Sequence, residues 1–370
     1  MTTAAATEAG RGLAEKEPPA PGPAPRAYGA RARRVLIVLA VVVLGLVAVL
    51  PRERASRIAL DVRPVPLNPV KPAQAELGSL RYRGGLWLSS PDAHFGGLSD
   101  LRVSRNGQRL LAISDCGYEF EATLVYGSEG WLSDLSDPEL SPLRAPGDLA
   151  LTHDEGDAEG LARMPDGSLI VSFERRHRLW RYPPGEPPLR GIATALPEAP
   201  GFSRLEPNLG IEAMTGLADG RLLAIGEVAS PEHEGATAWL GGDRSWSLTS
   251  FPLFYDRARS AAALRPTGAA LLPSGDVLVL ERRYPPLAGR IRLIERASLE
   301  AGNLEGREIA RLDEPLSLYN FEGIDARPGT EGETWVYLLS DDNNCRRDPG
   351  PRRRSPQRTL LLAFTLEEND

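Results

Sequence analysis

Apolar residues in this chain recur as paired short runs separated by a glycine turn. Five stretches share the pattern: FGGLSDLRVSRNGQRLLAISD (95–115), AEGLARMPDGSLIVSFE (158–174), IEAMTGLADGRLLAIGE (211–227), TGAALLPSGDVLVLE (267–281) and FEGIDARPGTEGETWVYLLSD (321–341). Each predicts a first strand, a turn, and a more strongly apolar second strand that ends in a carboxylate. The turns Asn106-Gly107, Asp166-Gly167, Asp219-Gly220 and Ser274-Gly275 suit two-residue hairpin loops in which glycine takes positive φ; the fifth turn is longer. Gly97, Gly160, Ala213, Gly268 and Gly323 hold corresponding places, 63, 53, 55 and 55 residues apart. That spacing leaves room for two further strands per unit. Residues 177–183 and 189–196, 236–242 and 246–254, and 290–296 and 306–312 supply them in the second, third and fourth units.

Four-stranded units repeated around a ring predict an all-β fold, a β-propeller. The fifth unit has one strand after its hairpin, at 359–366, and its missing fourth strand is supplied by 80–90, ahead of the first unit. Pairing the two ends of the domain closes five blades. A sixth is the alternative if the 116–156 stretch conceals a degenerate blade. An open sandwich is the plainer all-β reading, but it does not predict a repeat.

The remainder of the chain has a different character. Residues 1–30 contain PPAPGPAP (18–25) and predict a disordered tail. Residues 31–51 join RARR to sixteen uncharged apolar residues (35–50), a helix of ~24 Å, and predict one N-terminal transmembrane signal-anchor helix. A cleaved signal peptide is the alternative, although no small-x-small site follows closely. Arginines flank both ends of the span, so charge alone leaves the orientation open. Residues 52–79 read as a Pro-rich, extended linker, and 80–370 as the propeller domain. The net charge of −7 excludes a nucleic-acid partner, which needs a basic face. The first fifty residues net +3, so the other 320 net −10.

Many of these surplus acids fall at one end of the predicted ring. The start of a first strand and the end of a second lie on the same face of a propeller. Glu159, Glu212 and Glu322 stand at first-strand starts, where the other units carry Gly96 and Thr267; Asp115, Glu174, Glu227, Glu281 and Asp341 stand at second-strand ends, with Asp342 beside the last. Carboxylates that converge in this way raise one another's pKa and call for a neutralising partner. Hard oxygen donors without clustered His or Cys point to Ca²⁺ or Mg²⁺, with Glu159, Glu212, Glu322, Asp115, Glu227 and Asp341 as candidate ligands.

Arginine is the second neutraliser. Glu174 precedes Arg175 and Arg176, and Glu281 precedes Arg282 and Arg283, in parallel positions of two units. Guanidinium forks bind phosphate bidentately. Glu174, Glu281, Arg175, Arg282 and His177 are therefore the candidate catalytic residues, with Arg176 and Arg283 as further substrate contacts. The plainer reading is that strand ends attract acids and that Glu–Arg neighbours are solvated surface pairs. His94, His153 and His233 fall in predicted loops, and no nucleophile-elbow motif is present. Cys116 and Cys345 follow the second strands of the first and last units, which are neighbours in a closed ring. An exported domain would permit a disulfide there, and two unrelated reduced thiols are the alternative.

These segments, together with NFEGIDA, YLLSDDN and QRTLLLAFTL, resemble a bacterial family known as the phytase-like domain, "esterase-like activity of phytase", over residues 95–366. The resemblance implies an exported propeller-like hydrolase acting on phosphate or related esters. It places the family's acidic and Arg-rich segments on Glu159, Glu174-Arg175, Glu212, Glu227, Glu281-Arg282, Glu322 and Asp341-Asp342. SDCG at Cys116 and the insertion at 344–356, with five arginines, depart from the pattern. The expectation is a monomeric hydrolase anchored in the bacterial inner membrane, its propeller facing the periplasm and taking a small anionic ester with a divalent metal. The alternatives are a non-catalytic propeller that binds an anionic ligand or envelope partner, and a lactonase-type Ca²⁺-dependent hydrolase.

Overall fold

The structure, a computed structural model, describes residues 55–151, 155–230, 235–255, 262–283, 287–344 and 357–367. Five antiparallel four-stranded sheets follow the repeats. Blade 1 is Leu98–Val103, Arg109–Ser114, Tyr118–Tyr126 and Leu132–Pro142; blade 2 is Ala158–Arg163, Leu169–Phe173, Arg178–Tyr182 and Thr194–Ala195. Blade 3 is Ile211–Gly216, Leu222–Ala229, Gly235–Gly241 and Trp246–Pro252; blade 4 is Arg265–Leu271, Val277–Arg283, Ala288–Ile294 and Arg307–Leu312. Blade 5 combines Asn320–Pro328, Thr334–Asp341 and Thr359–Leu366 with Leu80–Ser89 from the start of the domain. Each innermost strand touches the next, and the fifth touches the first, so the ring is closed.

The second strands are apolar throughout because both of their faces are buried. Side chains alternate across a strand with period two. Leu278 and Leu280 therefore enter the cluster shared with blade 5, whereas Val277 and Val279 enter the cluster shared with blade 3. Five such clusters occupy the five blade interfaces. At ~1.5–3 kcal/mol for each fully buried aliphatic side chain, these interfaces hold the ring together.

Three expectations are corrected. The 116–156 stretch is not a degenerate sixth blade: it supplies the third and fourth strands of blade 1 and a short pair, Arg144–Ala145 with Leu149–Ala150. Residues 55–79 are not a free linker. Ser56–Arg57 pairs with the outer strand of blade 1, Asp61–Pro64 extends blade 5 beyond Leu80–Ser89, and Leu67 and Leu77 are buried. Proline is tolerated there because an edge strand has no outer partner to bond. The turns at Gly167, Gly220 and Gly275 are three-residue loops, each closed by a bond from Met164, Leu217 or Leu272 N–H to the carbonyl four residues on; the glycine takes φ of 84°, 87° or 93°.

No helix among the described residues is long and apolar enough to cross a membrane. The predicted tail (1–30) and signal-anchor (31–51) lie outside the described residues, as does nearly all of the 344–356 insertion.

The channel axis is closed by one side chain. Arg102, on the innermost strand of blade 1, donates to the carbonyls of Leu101, Leu161, Met214, Ala269 and Ile324, one from every blade, and to Asp100 Oδ1 at 3.2 Å. The two ends of the channel are thereby separate cavities.

Candidate functional site

Each innermost strand carries a bulge near its start, where an extra residue is set against the second strand. Glu159, Glu212 and Glu322 occupy the bulges of blades 2, 3 and 5, and Thr267 occupies that of blade 4. In blade 1 the register puts Ser99 there, not Gly96. The same pairing makes Asp100, rather than Gly97, the counterpart of Gly160 and Gly268. Glycine is favoured at the latter two because a Cβ would lie 2.5 Å and 2.4 Å from the carbonyls of Glu212 and Glu322 in the next blade. The recurring EG pair is thus a bulge acid followed by a residue small enough for ring closure.

The second strands answer in register. The residue before each bulge pairs with Ser114, Phe173, Gly226, Glu281 or Ser340. The next residue along faces the channel mouth: Asp115, Glu174, Glu227, Arg282 and Asp341 all line one cavity there. In blade 4 the mouth position thus belongs to Arg282. Glu281 is one residue early, and one residue turns a side chain to the opposite face. It is fully buried and ion-paired with Arg290 and Arg292.

The cavity has a volume of about 520 Å³. Eight carboxylates line it (Asp115, Asp157, Glu159, Glu174, Glu212, Glu227, Glu322 and Asp341) against three arginines, Arg175, Arg265 and Arg282. Each arginine holds an acid: Arg282 meets Glu322 at 2.7 Å, Arg265 meets Glu227 at 3.3 Å, and Arg175 pairs with Asp157. Asn320 donates to Glu322 at 2.7 Å, and the Gly210 N–H donates to Glu174 at 2.6 Å. Arg175 has φ of 58°, a left-handed conformation that costs a side-chain-bearing residue ~1–2 kcal/mol.

Three arginines do not balance eight acids. Burial, then the Glu227 charge, pushes Glu174 up to about 8 against the pull of the Gly210 N–H. Burial lifts Glu159 and Glu212 well above the usual carboxylate range, and neighbouring carboxylates add to it. Asp341 is raised by burial and then by Glu322; Glu322 is raised by burial although Arg282 opposes it. The mouth therefore holds protons that solvated carboxylates would release, or else it holds a cation.

The residues present fit a divalent cation. Asp157, Glu159 and Glu174 bring carboxylate oxygens within 4.8 Å of one another, as do Glu174, Glu212 and Glu227. Glu212 Oε2 is buried without a hydrogen-bond partner. The donors are all hard oxygens, suited to Ca²⁺ or Mg²⁺.

Seven of the predicted ligands and catalytic acids (Asp115, Glu159, Glu174, Glu212, Glu227, Glu322 and Asp341) share this cavity with Arg175 and Arg282. The other predicted site residues do not reach it. Arg176 is exposed and pairs with Glu155; Arg283 and Glu281 share the opposite side of their strand from Arg282. His177 Nε2 contacts the Glu206 carbonyl at 2.8 Å, outside the cavity. Asp342 accepts from the Gly97 and Asn344 N–H groups. Cys116 is disulfide-bonded, and Cys345 lies outside the described residues.

Sequence reasoning missed Asp157, Arg265, Asn208, Asn320 and Ser99, which also line the cavity. A signal existed for the register error. Glu174, Glu227 and Arg282 each fall seven residues after their turn glycine (Gly167, Gly220 and Gly275), whereas Glu281 falls six after. Asp157 stands two residues before the bulge acid Glu159.

The family described as Phytase-like, esterase-like activity of phytase, matches residues 93–344. No curated protein matches the chain. Among solved structures, virginiamycin B lyase from Staphylococcus aureus is 11% identical, with 83% of this chain and 100% of that one covered and a TM-score of 0.39. A gluconolactonase from Xanthomonas campestris is 14% identical, with 85% and 99% covered and a TM-score of 0.37. An aldose sugar dehydrogenase from Streptomyces coelicolor is 14% identical, with 85% and 99% covered and a TM-score of 0.33. Likeness at this level says nothing about chemistry.

Proposed function

The chain belongs to the phytase-like family, and from that premise we propose that it is an ester hydrolase whose acidic channel mouth holds a divalent cation and an anionic, phosphate-type ester. One observation carries the reading: buried carboxylates crowd the mouth in excess of its arginines, and two groups of three already lie at mutual distances a single cation could bridge. Glu159, Glu174, Glu212 and Glu227, with Asp157, would hold the cation. When bound, it would neutralise the acids and supply Lewis acidity toward an ester oxygen.

The chain's own part follows from the ion pairs. Arg282, Arg265 and Arg175 are each tied to a carboxylate. Once Asp157 and Glu227 share the cation, the guanidinium forks of Arg175 and Arg265 can turn to the ester's anionic oxygens and stabilise the charge that develops on them, while Arg282 stays on Glu322. Arg102 closes the axis, so substrate enters and leaves by the same mouth. Water is the nucleophile in this scheme; Ser99 is the one hydroxyl side chain of the mouth among the described residues. We further propose that residues 31–51 anchor the protein in the membrane with the propeller outside.

The full chain, assayed on phosphomonoesters and carboxyl esters with Ca²⁺, Mg²⁺ or chelator, tests this. Turnover should need the cation and fall at least 100-fold in Glu212→Gln and Glu159→Gln, since removing one preorganised stabilising group typically costs ~10²–10³ in rate. Turnover indifferent to chelator would sink the metal reading. A second reading, a binding module for an anion and a cation, draws on the absence of histidine from the mouth among the described residues; cation binding without turnover on any ester would favour it.

A further inference from the structure

The end of the channel opposite the carboxylates opens into a second cavity, of about 410 Å³. Its charge is reversed. Arg105, Arg163 and Arg327 line it above Arg102, and Asp325 is the one carboxylate among its lining residues. Asp325 is already engaged: its Oδ2 accepts the Val103 N–H at 2.6 Å. Arg163 donates from Nη1 to the Val103 carbonyl at 3.0 Å, and Arg327 donates to Tyr337 Oη and to the Pro328 carbonyl, both at 3.0 Å. Those partners are neutral. Arg105 is exposed and makes no hydrogen bond or ion pair among the described residues. Burial, together with the charges of Arg102 and Arg105, holds the Arg163 pKa down against the pull of Asp325, whereas Tyr337 and Tyr126 raise that of Arg327 against its burial. Between the arginines the wall is apolar, with Met164, Leu271 and Pro328.

We propose that this second mouth binds a small organic anion with an apolar body, its carboxylate or phosphate-type head held by Arg105 and Arg163 and its body against Met164 and Leu271. Guanidinium groups present forked donors to either oxyanion. The site is separate from the acidic mouth because Arg102, bonded to all five blades, stands between them. It takes its anion without any contact with the carboxylate cluster.

Calorimetric titration of the full chain with benzoate, phenylphosphonate and uncharged benzyl alcohol tests the assignment, since none of the three can be hydrolysed. Binding of one or both anions without binding of benzyl alcohol is expected, and the preferred anion identifies the head group. Arg105→Ala should weaken that binding about 10-fold, the typical cost of a charged hydrogen bond. Arg105 is exposed and makes no bond in the free protein, so the fold should survive its removal. Arg282→Ala, at the other mouth, should leave the affinity unchanged. Binding that falls with Arg282→Ala and not with Arg105→Ala would place the anion among the carboxylates and overturn the proposal. So would equal affinity for benzyl alcohol, or no heat from either anion.

Discussion

Stripping divalent cations from the protein should make its stability fall steeply with pH. Glu174 shows why. Its folded-state pKa of about 8 stands above the usual 4.5, because it is buried beside Glu227. Well below pH 4.5 both folded and unfolded chains hold the proton, and the group has no effect. Between 4.5 and 8 the folded state keeps a proton that the unfolded chain has released, so stability drops as pH rises; above 8 the loss is complete. From pH 5 to pH 8 this one residue costs roughly 3–4 kcal/mol, at about 1.4 kcal/mol per pKa unit. Glu159, Glu212 and Asp341 shift in the same direction. At ~2.1 cal/mol/K of unfolding entropy per residue, a domain of about 300 residues shifts by ~1.5–2 °C per kcal/mol, so the melting temperature in chelator should fall by roughly 5–8 °C across that range from Glu174 alone. A cation that binds the ionised carboxylates reverses the trend, adding about 2.7 kcal/mol at 100 times its Kd, and adding more at pH 8 than at pH 5. Scanning calorimetry at pH 5, 6, 7 and 8, with chelator and with Ca²⁺ or Mg²⁺, reads both effects. A melting temperature in chelator that stays level from pH 5 to 8, or a cation effect of equal size at both ends, would refute the reasoning.

Two substitutions separate the parts of the ring. Arg102→Met should destabilise the fold by about 3–5 kcal/mol, because it strands the buried Asp100 carboxylate and releases the carbonyls of five strands; an unchanged urea midpoint would contradict the axial role. Glu281→Gln should cost a similar ~3–5 kcal/mol by removing the one carboxylate that Arg290 and Arg292 share, leaving Arg290 only Glu308 at 4.0 Å, yet leave cation affinity as it was. Glu212→Gln should do the reverse, weakening cation binding while stabilising the chelated protein at pH 8, and titration calorimetry beside thermal melts distinguishes the two patterns.

Much of this architecture is written along the chain. Two-faced apolar strands such as VLVLE and WVYLL can be buried only between other sheets, and their recurrence with turn glycines fixes four-stranded blades. The orphan strands 80–90 and 359–366 then predict the closure that Leu80–Ser89 and Thr359–Leu366 make. The acidic mouth was legible for the same reason: bulge acids and strand-end acids recur at a common place in each repeat, and the family resemblance falls on those segments.

What the repeat could not supply is orientation to within one residue. Glu281 and Arg282 are adjacent in sequence and on opposite faces of one strand, so a shift of one position exchanges a buried structural acid for a mouth arginine. Only the paired register settles which is which. Arg102 left no mark in the pattern either, since an arginine in an inner strand gains meaning only when five backbone carbonyls meet on one axis. Arg265 joins the mouth because the acid it meets, Glu227, comes from the neighbouring blade, and Asp157 joins it because the hairpin of its own blade brings Arg175 and Glu174 back beside it. Local hydrophobic order set the strands, their number and the closure of the ring. Convergence of distant segments on a shared axis set the chemistry at its two ends, because side-chain direction and counter-charge are properties of the assembled ring and not of any one blade.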